Sequence, residues 1–145
     1  MRPDRINHQE PVPSLTEVVV PDWLPEDARQ VWAALAPDLI ARGVLTAWDV
    51  DTFADVCALI VVNRQALADV NSNGATVTTL DRVLADGTAV YRLQRNPAWQ
   101  VSRESAQLLV TLGGRFGLNP SDRASLKVGP PTTGGEGRDP NRYLS

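Results

Sequence analysis

Three carboxylates near the start of a predicted helix are the side chains whose spacing most resembles a catalytic or metal-binding group. Asp51 and Asp55 would share one face of that helix, whereas Asp49 lies well round from the pair. Acidic residues in a first helical turn are also favoured by the helix dipole, and we prefer this explanation to metal binding. The sequence therefore predicts no metal site.

The sequence also gives little support for nucleophilic catalysis or for nucleotide binding. The chain has one histidine, His8, and one cysteine, Cys57, so a Cys/His zinc cluster is excluded and no serine has a histidine to activate it. Cys57 lies in an apolar run and is interpreted as a small buried hydrophobe. The glycines at 113, 114 and 117 are not followed by the Lys-Ser/Thr pair of a phosphate-binding loop. We predict no catalytic residue and no cofactor.

The charge is distributed unevenly, although the formal net charge is only −3. Residues 22–81 carry nine acidic side chains against three arginines, whereas residues 82–127 carry seven basic side chains against three acidic ones. A local basic field can steer an acidic partner even when the total charge is negative. The basic half is either a solvated face or a contact surface for DNA phosphates. The candidate DNA contacts are Arg92, Arg95, Arg103, Arg115 and Arg123.

Two helices are predicted in the acidic half. The first begins at Pro25, should kink or split at Pro37, and ends at Gly43. Thr46 and Asp49 form a variant capping box that should open a second helix reaching about residue 70.

Residues 56–62 of the second helix are apolar on nearly every side, which requires burial on every side. This apolar belt is buried either against a neighbouring subunit or at the centre of a monomeric bundle, and periodicity alone leaves both open. The candidate interface residues in the belt are Val56, Leu59, Ile60 and Val62.

The dipeptide Asp86-Gly87 between two β-prone segments predicts a hairpin near residues 76–93 with a two-residue type I′ turn. This turn would pair Ala85 with Thr88, Val83 with Val90, and Asp81 with Arg92. An isolated hairpin is marginal in water, so we expect it to dock on helices or on other hairpins. Val83 and Val90 are therefore candidate subunit contacts.

A third helix should open at Asn96-Pro97 and close at Gly117, and Asn119-Pro120 should open a shorter fourth helix. The apolar face predicted for the third helix consists of Trp99, Ala106, Leu109, Val110, Leu112 and Phe116. The chain thus divides into an extended arm (residues 1–20), a helical core (residues 21–127) and a Pro/Gly/Thr-rich tail (residues 128–145). No apolar run approaches membrane-spanning length, so we expect a soluble, intracellular protein that contacts no membrane.

The order of these features resembles the small subunit of tailed-phage DNA-packaging terminases over roughly residues 21–126. The residues that carry the resemblance in the first part are Pro25, Trp32, Leu35, Pro37, Leu39, Gly43, Leu45, Thr46 and Asp49. Those in the last part are Asn96, Pro97, Gly117, Leu118, Pro120 and Arg123.

The resemblance implies a mainly α-helical, non-enzymatic protein with one β-hairpin that assembles into a homo-oligomeric ring. It would bind double-stranded viral DNA in the cytoplasm of the infected bacterial host, deliver it to the large ATPase/nuclease subunit, and regulate that subunit. Two alternatives remain at this stage. One is a small dimeric DNA-binding transcriptional regulator, and the other is a scaffold of the packaging motor that never touches DNA.

Overall fold

A computed structural model describes residue 11 and residues 17–125 of the chain. The elements follow in the order α1 (Glu26–Ala41), α2 (Val50–Asn73), β1 (Thr76–Val83), β2 (Ala89–Arg95), α3 (Pro97–Arg115) and α4 (Pro120–Ser125). Helix α2 packs against both α1 and α3, and α4 contacts α3. The prediction of a mainly helical fold with one β-hairpin is confirmed. Most of the predicted arm and the whole predicted tail lie outside the described residues.

Helix α1 begins directly after Pro25, as predicted. A kink or a split was predicted at Pro37, and the split is wrong, because the helix continues through this residue. Pro37 is exposed and lies near the end of α1, so only one backbone donor is lost there. Ala36 and Leu39 on either side of it remain buried in the core and hold the last turn in place. Gly43, with a φ of 70°, follows the helix end as predicted.

Helix α2 begins later than predicted, at Val50. The Asp49 carboxylate accepts hydrogen bonds from the backbone N–H of Thr46 at 3.1 Å and from its hydroxyl at 2.6 Å. The Thr46 hydroxyl therefore donates to Asp49 and does not cap a helical N–H, so only half of the predicted capping box forms. The helix ends at Asn73, slightly later than predicted, and Gly74 follows with a φ of 86°.

An aromatic cluster joins three of the four helical segments. The ring of Phe53 on α2 lies edge-on to Trp32 of α1, with ring centroids 4.9 Å apart, and to Phe116 after α3 at 5.1 Å. Edge-to-face pairs add stabilisation to the burial of the rings themselves. Val56 and Cys57 lie beside this cluster and are fully buried. Burial raises the pKa of the Cys57 thiol to about 11, which keeps it protonated and unreactive at neutral pH.

The hairpin forms where it was predicted, but its register differs. Val83 pairs with Ala89, and Thr79 pairs with Arg92, so the predicted Val83–Val90, Ala85–Thr88 and Asp81–Arg92 pairings are wrong. Two irregularities explain the shift. The loop has three residues, with Gly87 in the left-handed region at φ 85° and its N–H bonded to the Leu84 carbonyl, and this arrangement replaces the two-residue turn.

The second irregularity is a β-bulge at Asp81, between Leu80 and Arg82. The extra residue shifts the rest of strand β1 by one position relative to β2. Asp81 nevertheless reaches Arg92, with its Oδ1 3.6 Å from the arginine Nε. The two side chains therefore form an ion pair, although the two residues are not opposite each other in the sheet.

The boundaries of α3 and α4 are confirmed. The Asn96 side chain accepts a hydrogen bond from the backbone N–H of Ala98 and caps α3, and Pro97 occupies the first turn. After α3, Gly117 takes a φ of 65°, and the N–H of Leu118 donates to the carbonyl of Gly113 at 3.0 Å. This is the glycine-terminated helix end that the sequence predicts. Helix α4 starts at Pro120.

Candidate nucleic-acid interface

The five arginines predicted to bind DNA fall into two groups in the structure. Arg92 contacts Asp81 on its own hairpin, and Arg123 donates from Nη1 to the backbone carbonyl of Leu118 at 3.3 Å. These two guanidinium groups therefore have partners within the chain. Arg95, Arg103 and Arg115 are exposed and make no ion pair among the described residues.

Two of the three remaining arginines lie together. Arg95 and Arg103 line a shallow groove of about 360 Å³ at the start of α3. The other residues that line this groove, called here the α3 groove, are Trp99, Gln100, Glu104 and Gln107. Trp99 and Arg103 are four residues apart on α3, so one turn of helix separates them on the same side. The predicted basic surface is thus partly gathered into one concavity that also contains an aromatic ring.

A buried amide fixes the position of Arg95 relative to α3. Asn96 is only 3% exposed, and its Nδ2 donates to Asp69 Oδ1 at 2.8 Å and to the carbonyl of Gly74 at 2.9 Å. Its backbone N–H donates to Ala75 at 2.9 Å. One side chain therefore ties the end of α2, the base of the hairpin and the start of α3 together. Arg95 at the end of β2 consequently stands beside the first turn of α3.

The charged side chains of the α3 groove differ in whether they already have a partner within the described residues. Gln100 donates from Nε2 to Glu104 Oε1 at 2.8 Å, which occupies the one carboxylate of the groove. Arg95 and Arg103 leave the groove with a net positive charge. Guanidinium groups match phosphate oxygens in geometry and remain charged at every physiological pH. The groove is therefore suited to an anionic ligand.

The apolar face predicted for α3 is confirmed in part. Phe116 is buried, and Leu109 and Leu112 pack half-buried against the core, whereas Ala106 is exposed. Ser102 and Ser105 of α3 are buried, whereas Trp99 is 39% exposed and Val110 is 64% exposed. The hydroxyl of Ser105 donates back to the carbonyl of Val101 at 2.7 Å, so its burial leaves no donor unsatisfied. Small side chains let α3 approach α2 closely. The side of α3 that packs on α2 is therefore the side with Ser102 and Ser105, and Trp99 lines the α3 groove instead. The apolar pattern alone did not indicate this orientation.

The predicted interface residues are spread between the core and the surface. Val56 is fully covered by its own chain, Leu59 and Ile60 are half-buried, and Val62 is 40% exposed. The accessible part of the apolar belt is therefore its C-terminal half. On the hairpin, Val83 is exposed, whereas Val90 lies on the opposite face and is half-buried.

One face of the hairpin is apolar and is not covered by the residues that the structure describes. Alternation along each strand, with the bulge included, places four large exposed side chains on it: Leu80, Val83, Tyr91 and Leu93. We call this surface the outer face of the hairpin. No side chain of either strand is buried, so the expected docking of the hairpin on the helices of the same chain is not observed. Leu80, Tyr91 and Leu93 could not be recognised as one surface from the sequence, because the bulge that aligns Leu80 with Tyr91 has no clear sequence signal.

Asp49, Asp51 and Asp55 are the carboxylates whose spacing most resembles a metal-binding group. In the structure, Asp49 is engaged by Thr46. Residue 11 and residues 17–125 contain no group of three or more His, Cys, Asp or Glu side chains arranged to hold a metal ion. Within the same residues, no helix combines the length and apolar content required to cross a membrane.

The fold is thus a small helical core with one β-hairpin and a groove lined by two arginines at the start of α3. The sequence model of one family, the phage terminase small subunit, matches residues 28–132, which is more than half of the chain. The chain therefore belongs to the phage terminase small-subunit family. Small subunits of this family are generally non-catalytic, and the ATPase and nuclease activities lie in the large subunit. Searches of curated proteins and of solved structures found no match.

Proposed function

We propose that this protein recognises double-stranded viral DNA and delivers it to the large terminase subunit, whose activity it regulates. The observation that carries the proposal is the α3 groove, where Arg95 and Arg103 lie together without an ion pair among the described residues. Exposed arginines on a rigid helix start are suited to phosphate contact. Family membership supports DNA and the large subunit as partners in general. The proposed place of action is the cytoplasm of the infected bacterial host.

Assembly into a ring is the second part of the proposal. A chain with a net charge of −3 gains affinity for DNA when several copies present the same basic groove together, because each further contact becomes intramolecular. The exposed Val62 and the outer face of the hairpin supply apolar surface for contacts between copies. An uncovered two-stranded hairpin is marginal in isolation, which also favours a neighbouring chain as its cover.

Native mass spectrometry with and without a duplex fragment of viral DNA tests both parts. We expect a single homo-oligomer, with a mass increase equal to one or more duplexes when DNA is added. A discrete dimer that binds DNA would instead support a transcriptional regulator. An oligomer that binds the large subunit but never DNA would support a scaffold, an outcome that the negative net charge favours.

Two substitutions separate the interface from the fold in the same measurement. Val62→Asp places a charge on a side chain that is exposed in the single chain, so the protomer should fold and lose its neighbours. Ile60→Asp should give monomers or aggregates, because Ile60 also packs against the core. Ala68→Asp, an exposed position further along α2, is the control and should keep the mass of the wild type.

A further inference from the structure

Three of the four tryptophans are exposed, and their surroundings differ. Trp32 lies in the core, whereas Trp23, Trp48 and Trp99 are 57%, 63% and 39% exposed. Trp23 and Trp48 stand beside acidic residues in the sequence, in the acidic half of the chain. Trp99 lines the α3 groove together with Arg95 and Arg103. Core packing explains Trp32, but it does not explain why a partly exposed indole lines a groove with two cations.

The position of Trp99 suits a fixed stacking platform. It lies in the first turn of α3, directly after the Asn96 cap, and its backbone N–H donates to the Asn96 carbonyl at 3.0 Å. Partial burial restrains the ring while leaving part of it accessible from the groove. Arg95 lies before Trp99 in the chain, and Arg103 lies one helical turn, about 6 Å along the axis, after it. The groove is therefore lined by an aromatic ring and two cations.

We propose that the α3 groove binds single-stranded DNA, with one base stacked on Trp99 and the adjacent phosphates in contact with Arg95 and Arg103. The inference rests on the proposed function and deepens it, because it assigns the groove a form of DNA that the duplex-binding proposal does not require. Bases in a duplex are covered on both faces by their neighbours, so a protein ring stacks readily only on an unpaired base. Stacking of this kind is tolerant of base identity and adds to the electrostatic attraction of the backbone.

The two contributions respond differently to salt, which makes them separable. Phosphate contacts release counterions, so they set the slope of log affinity against log salt concentration. Stacking on Trp99 releases none, so it should change the affinity equally at every salt concentration. Loss of the Trp99 ring should therefore lower log affinity by the same amount at every salt concentration, without changing the slope. Loss of an arginine should change the slope.

The test uses full-length protein and a fluorescein-labelled twelve-nucleotide oligo(dT), with anisotropy recorded at several salt concentrations. We expect Trp99→Ala to weaken binding about tenfold at each concentration with an unchanged slope. Trp99→Phe should retain most of the affinity, since it preserves an aromatic face. Trp48→Ala is the matched control, because it removes a more exposed indole from the acidic half and should leave binding unchanged. Arg103→Gln should reduce the slope.

A second readout protects the test against misfolding of the alanine variant. In a Trp23→Phe/Trp48→Phe background, the remaining exposed indole is Trp99, and oligo(dT) should quench its emission and shield it from iodide. The inference is overturned if Trp99→Ala, folded by circular dichroism, binds oligo(dT) as the wild type does, or if DNA leaves Trp99 open to iodide. It is also overturned if Trp99→Ala alters the oligomeric mass but not DNA affinity.

Failure of this inference and failure of the proposed function are distinguishable. If the wild type binds duplex DNA with a steep salt dependence and Trp99→Ala has no effect on oligo(dT), only the stacking site is wrong. If the wild type binds neither duplex nor oligo(dT), both proposals fail together.

Discussion

Asn96 is the residue whose replacement should disturb both the fold and the candidate interface most directly. Its side chain makes three hydrogen bonds, to the backbone N–H of Ala98, to the Asp69 carboxylate and to the Gly74 carbonyl, at 2.8–2.9 Å. Loss of a helix cap costs about 1 kcal/mol, and loss of a hydrogen bond to a charged group costs about 1.5–3 kcal/mol. Because the contributions overlap, Asn96→Ala should lower the free energy of unfolding by about 3 kcal/mol.

Asn73→Ala is the matched control, since Asn73 also donates to Asp69, at 3.3 Å, but from an exposed position. We expect this control to cost less than about 0.5 kcal/mol. Urea unfolding followed by circular dichroism measures both at one fixed protomer concentration, because assembly makes the midpoint depend on concentration. With a urea m-value of about 2 kcal/mol/M, the midpoint of Asn96→Ala should fall by about 1.5 M. Equal midpoints for the two variants would refute the reasoning.

Asn96→Asp adds a pH dependence that the alanine variant lacks. The new carboxylate keeps the cap acceptor, but it loses both donors and faces Asp69 and the Gly74 carbonyl. The like charge raises the pKa of the introduced carboxyl in the folded state above its unfolded value of about 4. Relative stability is therefore recovered below pH of about 4 and lost as the pH rises through the higher folded value. Unfolding curves from pH 4 to pH 7 with a constant difference from Asn96→Ala would contradict this account.

Three further outcomes concern glycines. Gly87→Val should destabilise the hairpin, because the position has a φ of 85° and a β-branched residue resists it, and proteolysis near residue 87 measures the loss. Gly114→Ala should lower the melting temperature, since its Cβ would lie 2.7 Å from Asp122 Oδ2, which accepts from Asn119 at 2.8 Å. Gly113→Ala is its neighbour and should be tolerated, because the nearest atom lies at 3.5 Å and alanine favours the helix by about 1 kcal/mol. Equal melting temperatures for the two alanine variants would show that α4 does not pack as described.

Helix ends were the most predictable part of this fold, because their signals are local. Asn96-Pro97 and Gly117 each act through the backbone of their own few residues, and both form as expected. Pro37 shows the limit of local signals, since tertiary burial of its neighbours overrode its tendency to interrupt the helix. The hairpin was recognisable from Asp86-Gly87, but its register depended on a three-residue loop and a bulge.

The candidate site was predictable in part. Uneven charge indicated the basic half, but sequence could not show that Arg92 and Arg123 are held by partners within the chain while Arg95 and Arg103 share a groove. The apolar pattern places Trp99 on the buried face of α3, because large apolar side chains are usually buried. The helix instead buries Ser102, whose carbonyl accepts a hydrogen bond from Asn63 at 3.2 Å. Whether a helix buries a polar or an apolar side chain at a given position depends on the element that packs against it. The spacing of apolar residues along the helix carries no information about that element.

The surface proposed to bind viral duplex DNA is the α3 groove, through its two arginines. The most direct measurement is the salt dependence of duplex binding for the wild type, an Arg95→Gln/Arg103→Gln variant and the control Arg64→Gln on α2. Each lost phosphate contact lowers the slope of log affinity against log salt by about 0.9. We expect the groove variant to show a slope lower by about 2 per participating protomer with unchanged oligomeric mass, and the control to show the wild-type slope. Identical slopes for all three proteins, or no salt-dependent binding by the wild type, would contradict duplex binding through these arginines.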